Sequence, residues 1–192
     1  MRNLHLANVA IGLKNGDVGS FDVLVEHYGE RLYWHIRRIV VQHEEAEDVL
    51  QETFVRAYIL REEFRGDTDS SLTAWLYRIA TTLAIKALRK RKRWAFASLD
   101  SVRSELIASF EHEADASADE VALRLQRAIL ALPTKQRLVF NMRYYDELPF
   151  GQIAEITGDS VATLKTNYHY AVKSIKKEIT TIKLYDDEAD AV

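Results

Sequence analysis

Apolar positions return every three or four residues through most of this chain, and helix breakers are few: seven glycines and two prolines in 192 residues. That spacing marks α-helices with one buried face, and the chain reads as all-α. A helix near Phe21–His43 follows Gly16-Asp-Val-Gly-Ser20, with Asp17 or Ser20 placed to cap it. A second, near Glu44–Phe64, carries Ala46, Val49, Leu50, Phe54, Ala57 and Tyr58 on one stripe. Arg65-Gly-Asp-Thr-Asp-Ser-Ser71 is a loop by its turn chemistry. A third helix, near Leu72–Arg93, turns Trp75, Leu76, Ile79, Ala80 and Leu83 inward. Further on, Ser117-Ala-Asp-Glu120 has the spacing of a capping box and opens a helix through Leu132. Pro133 ends it, and Thr134 can cap the next helix, Lys135–Tyr145.

The last third carries a helix-turn-helix pattern. Phe150, Ile153, Ala154 and Ile156 give a short helix an apolar face. Gly158 falls where a helix C-cap needs positive φ, and Ser160 falls at the N-cap of the following helix. In that helix Val161, Leu164, Tyr168, Ala171, Ile175 and Ile179 form an inward row. Thr163, Lys165, Thr166, Asn167, His169, Tyr170 and Lys173 are left outside, a polar and cationic face suited to the major groove of DNA.

These elements sort into two small helical domains joined by an acidic linker: residues 5–94, a linker at 95–117, a second domain at 118–183 and a polar tail at 184–192. Hydrophobic residues make up 47% of the chain, enough for packed cores. The net charge of −3 does not by itself suggest a nucleic-acid binder, but its distribution does. Residues 86–93 hold six cations in eight positions, while acids gather in the linker and in Asp186-Asp-Glu-Ala-Asp190. There is no cysteine, so disulfides and thiolate metal sites are excluded and a reducing cytoplasm suits the chain. The N-terminus lacks the apolar core of a signal peptide. No apolar run approaches the ~20 residues that cross a bilayer, so no membrane insertion is expected.

Thr82, Lys86, Arg89 and Arg93 are spaced by four, three and four, so the third helix presents a hydroxyl and a row of cations on one face, with Lys90 beside them. Phosphates are the natural partner of such a row. Trp75 reads as core. Tyr77 and Trp94 lie off the stripe and are open to stacking with bases. His43-Glu-Glu-Ala-Glu-Asp48 is read as acids favouring a helix N-terminus rather than as a metal site. His5, His27, His35 and His112 are isolated. No phosphate loop, His-Glu-x-x-His or Gly-x-Ser-x-Gly occurs, so no catalytic residue, metal, cofactor or small-molecule substrate is expected.

Ala46-Glu-Asp-Val-Leu-Gln-Glu-Thr-Phe-Val-Arg-Ala-Tyr58, Phe64-Arg-Gly-Asp67 and Thr73-Ala-Trp-Leu-Tyr-Arg-Ile-Ala80 together resemble region 2 of bacterial sigma-70 family factors. Leu132-Pro133, Arg143-Tyr144, Ile153-Ala-Glu-Ile156 and Ser160-Val-Ala-Thr-Leu-Lys165 resemble region 4. Two regions with a short linker are similar to an extracytoplasmic-function (ECF) sigma factor. The resemblance implies a subunit that directs core RNA polymerase to promoters and helps open the DNA, and that is not itself an enzyme. It places Asp48, Gln51, Glu52, Phe54 and Arg56 against the β′ clamp helices of the polymerase. It assigns Tyr77, Thr82, Lys86, Arg89, Lys90 and Arg93 to the −10 element. It gives the −35 element to the helix from Val161, through Thr163, Lys165, Thr166, Asn167, His169, Tyr170 and Lys173. It further implies contact with the β flap, a linker in the RNA path, and an anti-sigma partner.

Two departures from the family pattern stand out. Thr82 occupies a position where many members carry an asparagine that contacts a flipped base, and threonine lacks the paired donor and acceptor of an amide. The recognition helix has Asn167, His169 and Tyr170 where arginines are common, and an asparagine can bond adenine bidentately, which suggests an A-containing −35 element. The competing readings are a free-standing helix-turn-helix regulator, a helical decoy that keeps only the polymerase-binding face, and, more remotely, a metal-dependent enzyme.

Overall fold

The computed structural model describes residues 6–66, 68–94, 104, 107–108 and 120–189, and among them it contains helices and no strand. The first half is built from α1 (Leu6–Lys14), α2 (Val18–Val40), α3 (His43–Ile59), a 3-10 turn (Arg61–Glu63) and α4 (Asp69–Trp94). The second half is α5 (Glu120–Leu130), α6 (Thr134–Tyr144), α7 (Phe150–Thr157) and α8 (Val161–Ala189). The acidic linker and the capping residue Ser117 lie almost wholly outside the described residues.

Several helix ends differ from the sequence reading, and the caps explain why. Asp17 starts α2 at Val18, three residues early, by accepting from the Ser20 backbone N–H at 2.8 Å and from the Ser20 hydroxyl at 2.6 Å. Those bonds hold the carboxyl of Asp17 below its usual range. Gly12 lets α1 approach this corner, because a Cβ there would collide with the Ser20 side chain. Helix α4 starts at Asp69 rather than Leu72 because Thr68 and Ser71 cap each other. The Ser71 N–H donates to Thr68 Oγ1 at 3.2 Å and the Thr68 N–H to Ser71 Oγ at 3.1 Å. Thr134 does not cap α6; Pro133 takes the N-cap position and makes no side-chain cap bond.

Helices α2, α3 and α4 pack pairwise, with α1 across α2. The inward face of α2 is Leu24, Tyr28, Leu32, His35, Ile36 and Ile39, all buried. Between α2 and α3 the chain turns at Val41, whose φ of 72° is strained for a β-branched residue. Arg91 braces that corner. Its Nη2 donates to the Val40 carbonyl at 3.0 Å, and its Nη1 lies 3.2 Å from Glu45 Oε2. One of the six clustered cations thus serves the fold.

In the second half α5, α6 and α7 pack on α8. Gly158 ends α7 with φ 76°, and Ser160 Oγ accepts from the Thr163 N–H at 3.1 Å. Leu164, Ala171 and Ile175 are buried, with Tyr168 and Ile179 half-buried, but Val161 is 38% exposed and leaves the expected row. Tyr58 likewise leaves its stripe; it is exposed beside Phe21 and beneath the Arg61 guanidinium. The halves are not separate beads. Met142, Leu148 and Ile153 belong to the same buried apolar cluster as Leu32, Leu76 and Tyr77, and α7 lies against α4.

Candidate nucleic-acid and protein interfaces

Helix α4 brings the expected hydroxyl and cations to one exposed strip: Thr82, Lys86, Arg89 and Lys90 all face solvent. The Thr82 hydroxyl donates to the Arg78 carbonyl at 2.7 Å, so its proton is committed and its lone pairs stay free to accept. The backbone of Arg93 and Trp94 lies in α4, but their side chains fall outside the described residues. Tyr77 is not on this strip. It is buried, with its ring 4.8 Å from that of His35, because α4 is packed on more than one side and the residue off the first stripe meets a second neighbour. Burial and the nearby Asp146 carboxylate push the Tyr77 hydroxyl well above its usual range. Trp75 is half-buried against Phe64, at 5.1 Å between ring centres.

On α8, Thr163, Lys165, Thr166, His169, Tyr170 and Lys173 are exposed and Asn167 is half-buried. They share the outward side of a helix held only by a narrow inward row. The Thr166 hydroxyl donates back to the Ala162 carbonyl at 3.0 Å.

On α3, Asp48, Gln51, Glu52 and Arg56 are exposed, and Arg56 Nε donates to Glu52 Oε1 at 2.7 Å. Phe54 is buried, edge-on to Phe21 at 6.3 Å, so it supports this face from below rather than lying on it. The sequence reading missed Val55, 47% exposed, and Ile59, 64% exposed, which add apolar surface to the charged face. A mixed patch of this kind suits a protein partner better than DNA. The signal was there: two large apolar residues off the stripe of an otherwise charged helix.

A polar network joins the halves. His35, with no exposed surface, lies 2.7 Å from Asp146 Oδ2 through Nδ1 and 2.9 Å from Thr81 Oγ1 through Nε2. A carboxylate can only accept, so Nδ1 carries a proton. The other oxygen of Asp146 accepts from Arg38 Nη1 at 3.2 Å. The Arg38 guanidinium also lies 4.3 Å from the Tyr145 ring centre. Burial raises the Tyr145 hydroxyl above its ordinary value, against the pull of Arg38. His35 reads as isolated in the sequence, yet it falls on the inward face of α2. Among the described residues no group of three or more His, Asp or Glu could hold a metal ion, and no helix is long and apolar enough to cross a membrane.

The geometry is that of an all-α protein with two DNA-suited helices and one protein-suited face. Comparison with known proteins gives the class. Residues 24–94 match the family model for sigma-70 region 2, and residues 122–175 match that for sigma-70 region 4. The ECF RNA polymerase sigma factor SigW of Bacillus subtilis is 33% identical over 175 residues, covering 87% of this chain and 92% of that protein. The RNA polymerase sigma-H factor of Pseudomonas aeruginosa is 30% identical, covering 87% and 90%. Among solved structures, CnrH in complex with the cytosolic domain of CnrY superposes with a TM-score of 0.67 at 20% identity, over 91% of this chain and 97% of that one. The Bartonella quintana sigma factor RpoE in complex with the anti-sigma factor NepR gives 0.65 at 17%, over 83% and 96%. The chain belongs to the sigma-70 family of RNA polymerase sigma factors, in its ECF group. It is a factor that directs core polymerase to promoters.

Proposed function

We propose that three faces of this chain divide the work of initiation. Asp48, Gln51, Glu52 and Arg56 on α3, with Val55 and Ile59, dock on the β′ clamp helices of core RNA polymerase, and Phe54 holds that face in place. The strip Thr82, Lys86, Arg89, Lys90 and Arg93 engages the −10 element. Its cations hold backbone phosphates while a base is taken out of the stack, which costs a few kcal/mol. The outward side of α8 reads the −35 element through Lys165, Thr166, Asn167, His169, Tyr170 and Lys173, with Thr163 at its N-terminal end. The observation that carries this reading is the presence on one chain of a mixed acidic and apolar face on α3 and two exposed cationic helix faces elsewhere.

The same reading makes residues 5–94 and 118–183 the two working domains and gives the chain no catalytic activity of its own. It operates in the cytoplasm, where polymerase and promoter are. An anti-sigma protein is proposed as a further partner, by likeness to the RpoE and NepR pair. Binding of the full chain to immobilised core RNA polymerase tests the assignment of α3. Replacing Asp48 and Gln51 together by alanine is expected to weaken binding by about tenfold or more while the helical spectrum is unchanged. Equal binding by the variant would remove α3 from the interface.

A further inference from the structure

The cations clustered at the end of α4 do not all face outward. Arg91 lies nine positions after Thr82, which at about 100° per residue puts it on the opposite side of α4 from the strip. Leu88 is the last buried apolar residue among the described side chains of this helix. Beyond it Arg89 and Lys90 are exposed, while Arg91 turns inward with its side chain 14% exposed. It enters the corner between the end of α2 and the start of α3. Its Nη2 donates to the carbonyl of Val40, the last residue of α2, at 3.0 Å. The final carbonyls of a helix have no partner within it, and a cation beside them also suits the helix dipole. Its Nη1 lies 3.2 Å from Oε2 of Glu45, in the first turn of α3. Glu45 stands one turn before Asp48, where the proposed polymerase face begins.

Arg91 thus ties the end of the strip to the helix that carries the docking face. The buried residues from Leu72 to Leu88 seat most of α4, but Arg89, Lys90 and the backbone of Arg93 run past that bed. Both partners of the Arg91–Glu45 pair are largely withdrawn from water, so the contact is not readily exchanged for hydration. Opening a duplex pulls on the strip through the phosphates it holds. A strip end free to bend follows the strands. One fixed to the helix that rides on polymerase keeps its strand in place while the other leaves. We propose that Arg91 is a positioning residue for promoter opening, which fixes the outer end of the cationic strip to the polymerase-docking helix through Val40 and Glu45 and touches no DNA itself. This rests on the division of faces given under the proposed function.

Run-off transcription by holoenzyme carrying the full chain tests it on two templates. One is a duplex promoter from which the wild type initiates, and the other is the same promoter with a mismatched bubble over the −10 element. Arg91→Met keeps the aliphatic stem and removes both contacts. It should lose about tenfold on the duplex and less than about twofold on the bubble. Arg91→Lys, which keeps the charge, should recover part of the loss. The salt dependence of promoter affinity should stay as in the wild type, since no phosphate contact is removed. Equal losses on both templates would make Arg91 a support of the fold only, and a salt slope lower by about one contact would make it a DNA-binding residue. Either result overturns the proposal, as does full activity of the variant on the duplex. Glu45→Gln leaves the Val40 bond in place and should show the same duplex-specific loss to a smaller degree, and it decides the matter if Arg91→Met does not fold. No transcript from either template with the wild-type chain would sink the division of faces itself, and the proposal with it.

Discussion

The two helices proposed to face DNA are held in opposite ways. Helix α4 is buried on most of its circumference, through Leu72, Ala74, Leu76, Tyr77, Ala80, Thr81, Leu83, Ala84 and Leu88, and leaves a single cationic strip outside. Between Val161 and Thr180, helix α8 is anchored by buried Leu164, Ala171 and Ile175 and by half-buried Tyr168, Val172 and Ile179, and most of its other side chains are exposed. A helix that must hold its register while a duplex is opened gains from a rigid bed. A helix that reads intact duplex needs only an inward row and a free face. Substitutions on the buried circumference of α4 should therefore mix stability with function, while those on the outward face of α8 should change function alone.

The sharpest way to break this contrast is to compare Leu76→Ala with Tyr170→Ala. Leu76 has no exposed surface, and its truncation should cost about 2–5 kcal/mol in thermal or urea unfolding. Tyr170 is 51% exposed, and its truncation should stay within about 0.5 kcal/mol. Similar losses would dissolve the distinction. Next in size is Asn167→Ala, which should relax base preference at one −35 position by ~1–3 kcal/mol, read from a promoter library with holoenzyme. An unchanged preference at every position would remove Asn167 from readout. Smaller still, replacing Lys86 and Arg89 together by alanine should flatten the dependence of promoter affinity on salt by roughly two phosphate contacts, with no shift in melting temperature. A shift in melting temperature with no change in salt slope would make the strip structural.

A pH effect should also separate the helices. Burial raises the Tyr77 hydroxyl in the folded state, so its contribution is full below the ordinary value of 10 and is lost as pH climbs beyond it. Melting temperatures followed upward from neutral pH should fall there, and Tyr77→Phe should reduce the fall. The smallest effect is at Asp17, whose carboxyl is held low by Ser20. Its cap is present above the ordinary value of 3.8 and is lost as pH drops below it, so Asp17→Ala should flatten the acid limb of the stability curve slightly.

Much of this was legible in the sequence. Helical periodicity located α2 to α8, and Gly158 and Ser160 marked the turn between α7 and α8. The misplaced helix starts came from local side-chain bonds such as Thr68 with Ser71, which the apolar pattern does not report. Tyr77 departs from its expected exposure for a different reason. A single 3.6-residue stripe describes a helix with one neighbour, whereas α4 touches several. The polar network between the halves was beyond sequence spacing altogether, since His35 and Asp146 are 111 positions apart. The only trace was a histidine on an apolar helix face.

Run-off transcription with purified core RNA polymerase on a pool of promoter fragments tests the central claim most directly. The full chain should produce start sites absent with core enzyme alone, and these should disappear when Asp48 and Gln51 are replaced together. Start sites that persist in that variant, or duplex binding by the free protein with no new transcripts, would contradict the account.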